Sequence, residues 1–449
     1  MNIADYLKND ITQYPNWINK ILLKLNIFGS LSYGFGYNQF RKNMDLIDSQ
    51  QKLLNCVNFA IKYVPYYHDK YGNEPISSIN EFRQQFGFID KEEVMKHWSA
   101  FQSTRSKSHK FVTGTTGGTS GKPLHLIFPQ NRYVTELPFI HRAWNNTGWK
   151  YHTRGVIRNH SLNIKEIYRI NPITKEFIFD GFRISEPKYL FQIYTQLQKN
   201  NIQYIQAYPS SAYQLASFMK KEKLDHTFIK CFLCSSENVY DYQYKLIEKE
   251  MNIQLYSLYG HSEKLIMGGL KKGTHFYEIE PAYGYFELID KEGKVITQPG
   301  IMGEMVGTTF YNHFMPLIRY RTGDYAMYAT NKQDSLLLEC IQGRWNGDKI
   351  YLNDGTFITT TALNLHSDIY TVIAGLQYIQ KTEGELEVLI IKTDQYKTTH
   401  EKKILEQFTE KTNQKLIIRI NYVDNLVKEP NGKFLLLKSE IKNKNEYKD

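Results

Sequence analysis

The chain has 449 residues and a mass of 52.9 kDa, a length that favours roughly two or three domains. Hydrophobic residues make up 41% of it and aromatic residues 14%, which is enough for a large core and excludes a disordered chain. The formal net charge is +10, but the basic residues are scattered, whereas nucleic-acid binders cluster them. We therefore expect no nucleic-acid partner. The excess positive charge would equally attract a polyanionic cofactor or an anionic membrane surface.

The cysteine content and the hydropathy further limit the classes of protein to which the chain could belong. Four cysteines in this length exclude a disulfide framework. Cys231 and Cys234 form a CxxC pair, which is either a redox pair, half of a zinc site or part of a buried strand, and their apolar surroundings favour the strand. No run of about 18 apolar residues would span a membrane, and the N-terminus lacks a signal peptide's apolar core, so we expect a cytoplasmic protein. The amphipathic stretch Trp17 to Leu25 either packs on its own protein, the commoner outcome, or makes a peripheral membrane contact.

Taken in chain order, the elements change character twice. Residues 1–105 are predicted to be mainly helical, with apolar residues at helical spacing from Gln50 to Tyr63 and Asp90 as the N-cap of a later helix. From Phe111 to Tyr259 strands alternate with helices, which favours a largely parallel sheet. From Tyr285 to Cys340 short strands with tight turns predict an antiparallel β portion.

A small α+β unit follows from Ile350 onward. Its predicted elements are a strand at 386–391, a helix at 401–411 and a strand at 416–422. The best domain boundary lies between Gly343 and Gly347. The sequence therefore predicts an α/β fold with a large N-terminal domain over 1–345, with a mostly parallel sheet plus a β portion, and a small α+β domain over 346–449.

A segment rich in glycine and hydroxyl residues comes directly after the strand at Phe111. Its residues are Thr116, Gly117, Gly118, Thr119, Ser120, Gly121 and Lys122. Glycines let the backbone approach an anion closely, and N–H groups and hydroxyls then solvate phosphate oxygens. The segment is not a Walker A loop, because Thr116 stands where that motif needs its first glycine and Pro123 follows the lysine. A flexible linker would seldom begin directly after an apolar strand, so we favour a phosphate loop.

Two later segments each place a carboxylate beside a glycine turn. In Tyr259-Gly260-His261-Ser262-Glu263, the carboxylate of Glu263 could hold Mg²⁺ beside phosphates. In Tyr320-Arg321-Thr322-Gly323-Asp324, Asp324 either forms an ion pair at the end of a strand or binds a pair of sugar hydroxyls.

Two turns near the C-terminal end carry a cation each. Gly343-Arg344 is either a further nucleotide contact or an ordinary surface turn. Pro430-Asn431-Gly432-Lys433 is a turn with a lysine at its exit, which on its own indicates a solvated hairpin lysine.

In this order the five motifs resemble those of the adenylate-forming enzymes, the superfamily of acyl- and aryl-CoA ligases, luciferases and peptide-synthetase adenylation domains. Within it the chain is most similar to the phenylacetate-CoA ligase branch and its capsular-polysaccharide (CapK-type) members. The supporting segments are 60–67, 208–211, 235–237 and 377–380. The similarity covers about residues 50–440 and implies a large N-terminal domain with a small, mobile C-terminal lid.

The resemblance also implies roles for individual residues. The expected ATP-binding residues are Thr116, Gly117, Gly118, Thr119, Ser120 and Gly121 at the phosphates, Ser235, Ser236, Glu237 and Tyr259 around the adenine, and Asp324 and Arg344 at the ribose. Gly260 and Ser262 are also expected to contact the nucleotide. The candidate catalytic residues are Lys122 at the phosphates, Glu263 as the Mg²⁺ ligand and Lys433 on the lid. Lys433 would bridge the carboxylate of the substrate and the α-phosphate.

The implied reaction activates a small-molecule carboxylate with ATP, giving an acyl adenylate and pyrophosphate, and then transfers the acyl group to a thiol, with coenzyme A as acceptor. The alternative passes an acyl or amino-acyl group directly to an amine of a sugar in capsular or surface polysaccharide biosynthesis. A non-enzymatic scaffold at a membrane surface is a third hypothesis. The hinge departs from the family pattern, because the chain has Asn346-Gly347 where the family has an Asp or Lys followed by an acid. The sequence therefore leaves open how the second step, the transfer of the acyl group to its acceptor, takes place.

The pocket for the acid is expected between the phosphate loop and Tyr259. Aromatic residues in the surrounding sequence would suit an aryl or acyl group, unless they belong to the core. They are Trp144, Trp149, Tyr208 and Tyr213.

Overall fold

A computed structural model gives the fold of the chain. The residues that it describes are 11–24, 33–105, 110–115, 124–158, 160, 162–181, 183–184, 186–237, 239–329, 336–342, 349–353, 355, 357–359, 369, 372–412, 414–428, 435 and 437–441.

Residues 1–105, which we call the leader, are mainly helical where the structure describes them, as the sequence predicts. Its helices are Asn16–Lys24 (α1), Gly34–Asn43 (α2), Ser49–Tyr63 (α3), Pro65–Tyr71 (α4), Ile79–Gln85 (α5) and Lys91–Lys96 (α6). The side chain of Asp90 accepts a hydrogen bond from the Glu93 backbone N–H at 2.9 Å, so the predicted N-cap of α6 is confirmed. The leader is joined to the rest of the domain by Tyr67, whose hydroxyl donates to the Pro316 carbonyl and accepts from the Ile318 N–H.

The amphipathic stretch forms α1, and the helix packs on its own protein. Asn19 is fully buried and donates to the Ile170 carbonyl at 3.1 Å, and Lys20 lies over the Tyr168 ring at 5.3 Å. Trp17 and Ile21 point outward and remain exposed. Within the described part of the chain, every helix is too short or too polar to cross a membrane.

One large sheet forms the frame of the N-terminal domain. Its strands are Arg154–Ile157 (β3), Arg169–Asn171 (β4), Glu176–Phe179 (β5), Tyr204–Ala207 (β6), Cys231–Ser235 (β7), Gln254–Gly260 (β8), Met267–Leu270 (β9), Tyr277–Ile279 (β10), Gly284–Ile289 (β11), Gly303–Thr309 (β12), Tyr320–Tyr328 (β13) and Leu337–Gln342 (β14). Among the described residues the order is β11-β12-β13-β14-β10-β9-β8-β7-β6-β3-β5-β4. A separate hairpin pairs Phe111–Thr115 (β1) with His125–Pro129 (β2).

The two halves of the large sheet differ in direction. Strands β5, β3, β6, β7 and β8 are mutually parallel, and β9 to β14 pair antiparallel, which confirms the predicted change of character. The parallel strands are buried on both faces, as crossover helices require. The crossover helices are Pro187–Lys199 (α8), Pro209–Lys221 (α9) and Asp241–Tyr244 (α10), the last continued by a π-helix, Lys245–Glu250, and the helix Tyr133–Asn145 (α7) leads from β2 into β3.

The CxxC pair belongs to the core of the parallel half. Cys231 and Cys234 are buried in β7, and burial raises the pKa of both thiols. The described residues contain no group of three or more His, Cys, Asp or Glu side chains that could hold a metal ion. The prediction that this pair belongs to a buried strand is confirmed by its place in β7. The strand begins at Cys231 and not at Phe228, where the apolar run of the sequence starts, because the Ile229 N–H closes a turn onto the His226 carbonyl.

A buried arginine that is ion-paired within the antiparallel half also joins this half to the leader. Arg319 is 4% exposed, and its guanidinium donates to both carboxylate oxygens of Glu287, at 3.1 and 3.3 Å. The same guanidinium donates to the carbonyls of Arg83 and Phe86 in and beside α5. Arg319 thus fixes the start of β13, where the Tyr-Arg-Thr-Gly-Asp segment begins.

The C-terminal part forms its own small core. It contains the hairpin Lys349–Tyr351 (β15) and Phe357–Thr359 (β16), the strands Ile373–Gln380 (β17), Glu385–Lys392 (β18), Ile417–Tyr422 (β19) and Leu437–Ser439 (β20), and the helix Thr398–Thr412 (α11). The strand order is β19-β18-β17-β20, and α11 packs Ile404 and Phe408 into the same cluster. The predicted strand–helix–strand pattern is confirmed. The predicted boundary between 345 and 346 lies outside the described residues.

Candidate active site

The parallel strands present their carboxyl ends along one edge of the sheet, where open α/β sheets bind ligands. The residues that follow β3, β5, β6, β7 and β8 meet there because the strands are adjacent and run the same way. They include Arg158 after β3, Gly181 after β5, Ser210 after β6, Glu237 after β7 and Glu263 after β8.

The two carboxylate motifs interlock at the junction of the parallel and antiparallel halves. The hydroxyl of Tyr259, near the end of β8, donates to Asp324 on β13 at 2.6 Å. In return, the hydroxyl of Tyr320 lies 3.5 Å from the Glu263 carboxylate. The tyrosine of each motif thus contacts the acid of the other. The sequence separates these motifs by about 60 residues, so only the fold reveals that they form one unit.

Both acids of this unit are shielded from solvent. Glu263 is 2% exposed and Asp324 7% exposed. The imidazole Nδ1 of His261 lies 3.8 Å from a Glu263 oxygen. Burial of a carboxylate is costly unless partners or ligands stabilise its charge. Glu263 supplies the oxygen donor that Mg²⁺ prefers, and Mg²⁺ at nucleotide sites is commonly held by one or two carboxylates together with phosphates. The residues present therefore fit that ion.

The segment expected around the adenine follows β7 directly. Ser235 ends the strand, and Ser236 has a positive φ of 71°, which non-glycine residues seldom adopt. Glu237 accepts hydrogen bonds from the backbone N–H and the hydroxyl of Ser210, at 3.0 and 3.1 Å. These bonds connect the ends of β6 and β7. Gly260 and Ser262, also expected at the nucleotide, lie at the end of β8 and in the turn that follows it.

The glycine-rich segment connects the two strands of the β1–β2 hairpin. Thr115 pairs with His125 at the end of the hairpin next to the connecting segment, and the Trp98 indole donates to the His125 carbonyl at 2.8 Å. The predicted phosphate residues from Thr116 to Lys122 lie outside the described residues. Arg344 and Lys433 lie outside them as well.

The C-terminal domain reaches the same edge through Lys428. Its ammonium lies 3.5 Å from the Gly181 carbonyl oxygen, beyond the end of β5. Burial lowers the pKa of Lys428, and the Glu237 carboxylate opposes that shift. The segment that precedes Lys433 in the sequence thus contacts the large domain beside Glu237.

Sequence reasoning missed Arg158, Tyr320 and Lys428 as parts of this edge. Arg158 follows the buried run Gly155-Val156-Ile157, and its position at a strand end was a usable signal, since ligands bind at the carboxyl ends of parallel strands. Tyr320 belongs to a motif that the sequence shows, but neither its contact with Glu263 nor the position of Lys428 gave a signal, because their neighbours at the edge come from segments distant in the sequence.

The expected aromatic pocket is only partly present at this edge. Trp144 and Trp149 are buried against each other and against Arg154, at the opposite, amino end of β3. They are core residues, and the expectation that they lie near the acid is wrong for them. Tyr208 does lie at the carboxyl edge, directly after β6, with the Arg158 guanidinium 4.8 Å from its ring centroid. Tyr213 packs on the core, with its ring 4.9 Å from that of Tyr242.

Comparisons with known proteins agree with this architecture. Residues 350–440 match the family model described as the CapK C-terminal domain. A 2-hydroxyisobutyryl-CoA ligase in the postadenylation state, in complex with R3-HIB-AMP, is 15% identical over 87% of this chain and 88% of its own, with a TM-score of 0.66. The same ligase in an open conformation with 2-HIB-AMP and CoA is 16% identical over 86% and 90%, with a TM-score of 0.51.

A third similar structure is the anthranilate CoA ligase AuaEII in complex with anthranoyl-AMP, 13% identical over 74% of this chain and 67% of its own, with a TM-score of 0.51. Sequence comparison with curated proteins finds no match. The chain therefore has the fold of the adenylate-forming ligases. The predicted similarity is confirmed for the fold, and the similarity to CapK-type proteins is confirmed for residues 350–440.

Proposed function

We propose that this chain, with its adenylate-forming fold and CapK-type C-terminal domain, is an AMP-forming ligase that activates a carboxylic acid as an acyl adenylate. The observation that carries the proposal is the pair of contacts between the two carboxylate motifs, Tyr259 to Asp324 and Tyr320 to Glu263. These contacts bring together, at one buried place at the edge of the sheet, the acid that we propose binds the sugar and the acid that we propose binds the metal ion.

In this proposal the large domain holds ATP. Asp324 accepts hydrogen bonds from the ribose hydroxyls, and its bond from Tyr259 fixes the carboxylate for that purpose. Ser235, Ser236 and Glu237 border the adenine. The backbone and hydroxyls from Thr116 to Lys122 surround the β- and γ-phosphates. Mg²⁺ at Glu263 would offset charge on the phosphates as the acid attacks the α-phosphorus.

The C-terminal domain supplies the cation for the chemical step. Lys433 would contact the attacking carboxylate and the α-phosphate together, and a fixed cation at that position stabilises the charge that develops in the transition state. Closure of the lid would also keep water from the mixed anhydride. We propose that the lid comprises residues 346–449 and that Arg344, beside the hinge at Asn346, adds a ribose contact.

Replacing the lid lysine tests this assignment. We expect Lys433→Ala to slow adenylate formation by about 10²–10³-fold, the usual cost of removing one transition-state contact, with ATP affinity nearly unchanged. Lys438→Ala, an exposed lysine on β20 of the same domain, is the matched control. Adenylate formation at the wild-type rate in Lys433→Ala would show that another residue supplies the cation.

For the second step we propose transfer to a thiol, with coenzyme A as the acceptor. The similar structures are named as CoA ligases, and one of them contains CoA. A second candidate is transfer to an amine of a sugar, favoured by the match to the CapK C-terminal domain. The product mass with and without coenzyme A separates the two. A thioester that forms only with coenzyme A supports the first, and an amide that forms without it supports the second.

A further inference from the structure

We infer that the chain has a second binding site, for a neutral sugar, in a cavity between α7, residues 44–49 of the leader and the strands β8, β9 and β10. The cavity has a volume of about 620 Å³. Small-molecule sites usually have volumes of about 300–1,000 Å³. The inference goes beyond the proposed ligase activity and does not depend on it, because the residues assigned to that activity lie outside the cavity.

The cavity lies on the face of the sheet that points away from the interlocked carboxylate motifs. Tyr256 and Leu258 of β8 line it. Successive side chains of a strand point to opposite faces, so Tyr259, which contacts Asp324, points to the other face. Gly269 of β9 is paired with Leu258 and therefore belongs to the cavity face. The sheet itself thus separates a ligand in the cavity from the proposed ATP site.

Gly269 leaves the space at the floor of the cavity. It stands inside β9, between Leu258 and Glu278 of the two neighbouring strands. A Cβ at this position would lie 2.0 Å from the Tyr256 hydroxyl and 3.7 Å from the Ala143 Cβ on α7. A glycine inside a strand weakens the strand and often marks a place where a ligand approaches the backbone closely. The missing side chain here makes room for the Tyr256 hydroxyl at the floor of the cavity.

The Tyr256 hydroxyl is a buried polar group that still needs a partner. The residue is only 2% exposed, and burial raises the pKa of its phenol. Among the described residues this hydroxyl has no hydrogen-bond partner, in contrast to the hydroxyl of Tyr204, which donates to the Gly148 carbonyl. A buried hydroxyl without a partner costs free energy, which a ligand that hydrogen-bonds to it would recover. The hydroxyl therefore indicates a ligand with hydrogen-bonding groups of its own.

The charges around the cavity cancel, which indicates a neutral ligand. Three cations and three carboxylates line it, namely Arg142, Lys271, Lys272, Asp45, Glu278 and Glu280. Arg142 donates to both Asp45 and Glu280, so its charge is already matched. A ligand with a net charge would therefore gain little from the site as a whole. A sugar gains instead from the mixture of donors and acceptors, because each of its hydroxyls can donate one hydrogen bond and accept two.

The rest of the lining suits the body of a sugar ring. Phe139 from α7, Leu258 from β8 and Met267 from β9 supply an apolar surface for the C–H groups of the ring. Asn146 and Gln254 add amide groups. Sites for small ligands combine such an apolar surface with a few fixed polar groups. A neutral sugar thus fits the cavity in size, in charge and in hydrogen-bonding capacity.

Binding of sugars to the purified protein, measured by titration calorimetry, tests the inference. The neutral probes are glucose, galactose, N-acetylglucosamine and maltose, and the charged counterparts are glucuronate and glucosamine. We expect at least one neutral sugar to bind, the charged counterparts to bind no better, and saturating ATP to leave the binding unchanged. The inference is overturned if no neutral sugar binds, if a charged counterpart is preferred, or if ATP displaces the sugar.

Tyr256→Phe tests whether the sugar occupies this cavity. The change removes only the hydroxyl, so affinity for the bound sugar should fall about 2- to 10-fold, the effect of losing one neutral hydrogen bond. The melting temperature without sugar should stay unchanged, because the hydroxyl has no described partner to lose. Tyr194→Phe, which removes a hydroxyl bonded to the Asp225 carbonyl, is the matched control and should keep the sugar affinity. Wild-type affinity in Tyr256→Phe, or a melting temperature lowered as far as in Tyr194→Phe, would overturn the assignment.

Discussion

The contact between Tyr259 and Asp324 yields the sharpest prediction for a single residue. Asp324→Asn removes the negative charge and keeps the size of the side chain. The Asn oxygen can still accept from the Tyr259 hydroxyl, which now lies 2.6 Å from the carboxylate. We therefore expect the unfolding free energy to change by less than about 1 kcal/mol, the net worth of one ordinary hydrogen bond.

The effect on ATP should be much larger than the effect on stability. Asp324 is only 7% exposed, so water screens its charge poorly. A hydrogen bond from a ribose hydroxyl to a shielded carboxylate contributes about 1.5–3 kcal/mol, which corresponds to a loss of about 10- to 150-fold in ATP affinity. Titration calorimetry with ATP measures the affinity, and thermal unfolding measures the stability.

A matched control distinguishes this role from a general effect of charge. Asp225→Asn neutralises an exposed carboxylate that bonds only locally, to Thr227, and should leave ATP affinity unchanged. The reasoning is refuted if Asp324→Asn binds ATP within twofold of the wild type while its melting temperature drops. Asp324 would then be a structural partner of Tyr259 and not a nucleotide ligand.

Three further changes test the surroundings of the site. Arg319→Met leaves Glu287 buried with Arg83 as its remaining cation. We therefore expect the unfolding free energy, measured with denaturant, to fall by about 3 kcal/mol, the lower end of the range for breaking a buried ion pair. An unchanged unfolding midpoint would contradict this. Glu263→Gln should raise the Mg²⁺ concentration needed for half-maximal pyrophosphate exchange, whereas an unaltered Mg²⁺ titration would exclude Glu263 as a ligand. Partial desolvation by its neighbours lowers the pKa of His160, although the residue remains exposed, so the folded protein favours the neutral ring. Stability should therefore decrease as the pH falls below about 6.5, and His160→Gln should flatten a plot of melting temperature against pH, with an unchanged slope as the contrary result.

Much of the fold could be predicted because local patterns specify it. Helical spacing and the Asp90 cap identified the leader, and alternating strands and helices identified the parallel half of the sheet. The ends of elements were less predictable. The helix α10 continues as a π-helix from Lys245, and β7 begins at Cys231, inside its apolar run and not at the start of that run. In both places tertiary packing sets the boundary, which no local pattern contains.

The site could be predicted as a set of motifs but not as an arrangement. Tyr259, Glu263 and Asp324 belong to recognisable segments, yet their mutual contacts depend on β8 and β13 meeting across the sheet. Arg158 and Lys428 belong to no motif that the sequence makes visible. Lys428 reaches this edge only because the C-terminal domain approaches the loop at Gly181.

The most direct test of the account is ATP–pyrophosphate exchange with the purified protein across aryl, fatty, hydroxy, dicarboxylic and amino acids. We predict exchange that requires Mg²⁺ and one class of carboxylic acid, and that is lost in Lys433→Ala. Coenzyme A added to the productive acid would then identify the acceptor. Bound ATP with no exchange for any acid, with or without Mg²⁺, would contradict the claim that this chain forms acyl adenylates.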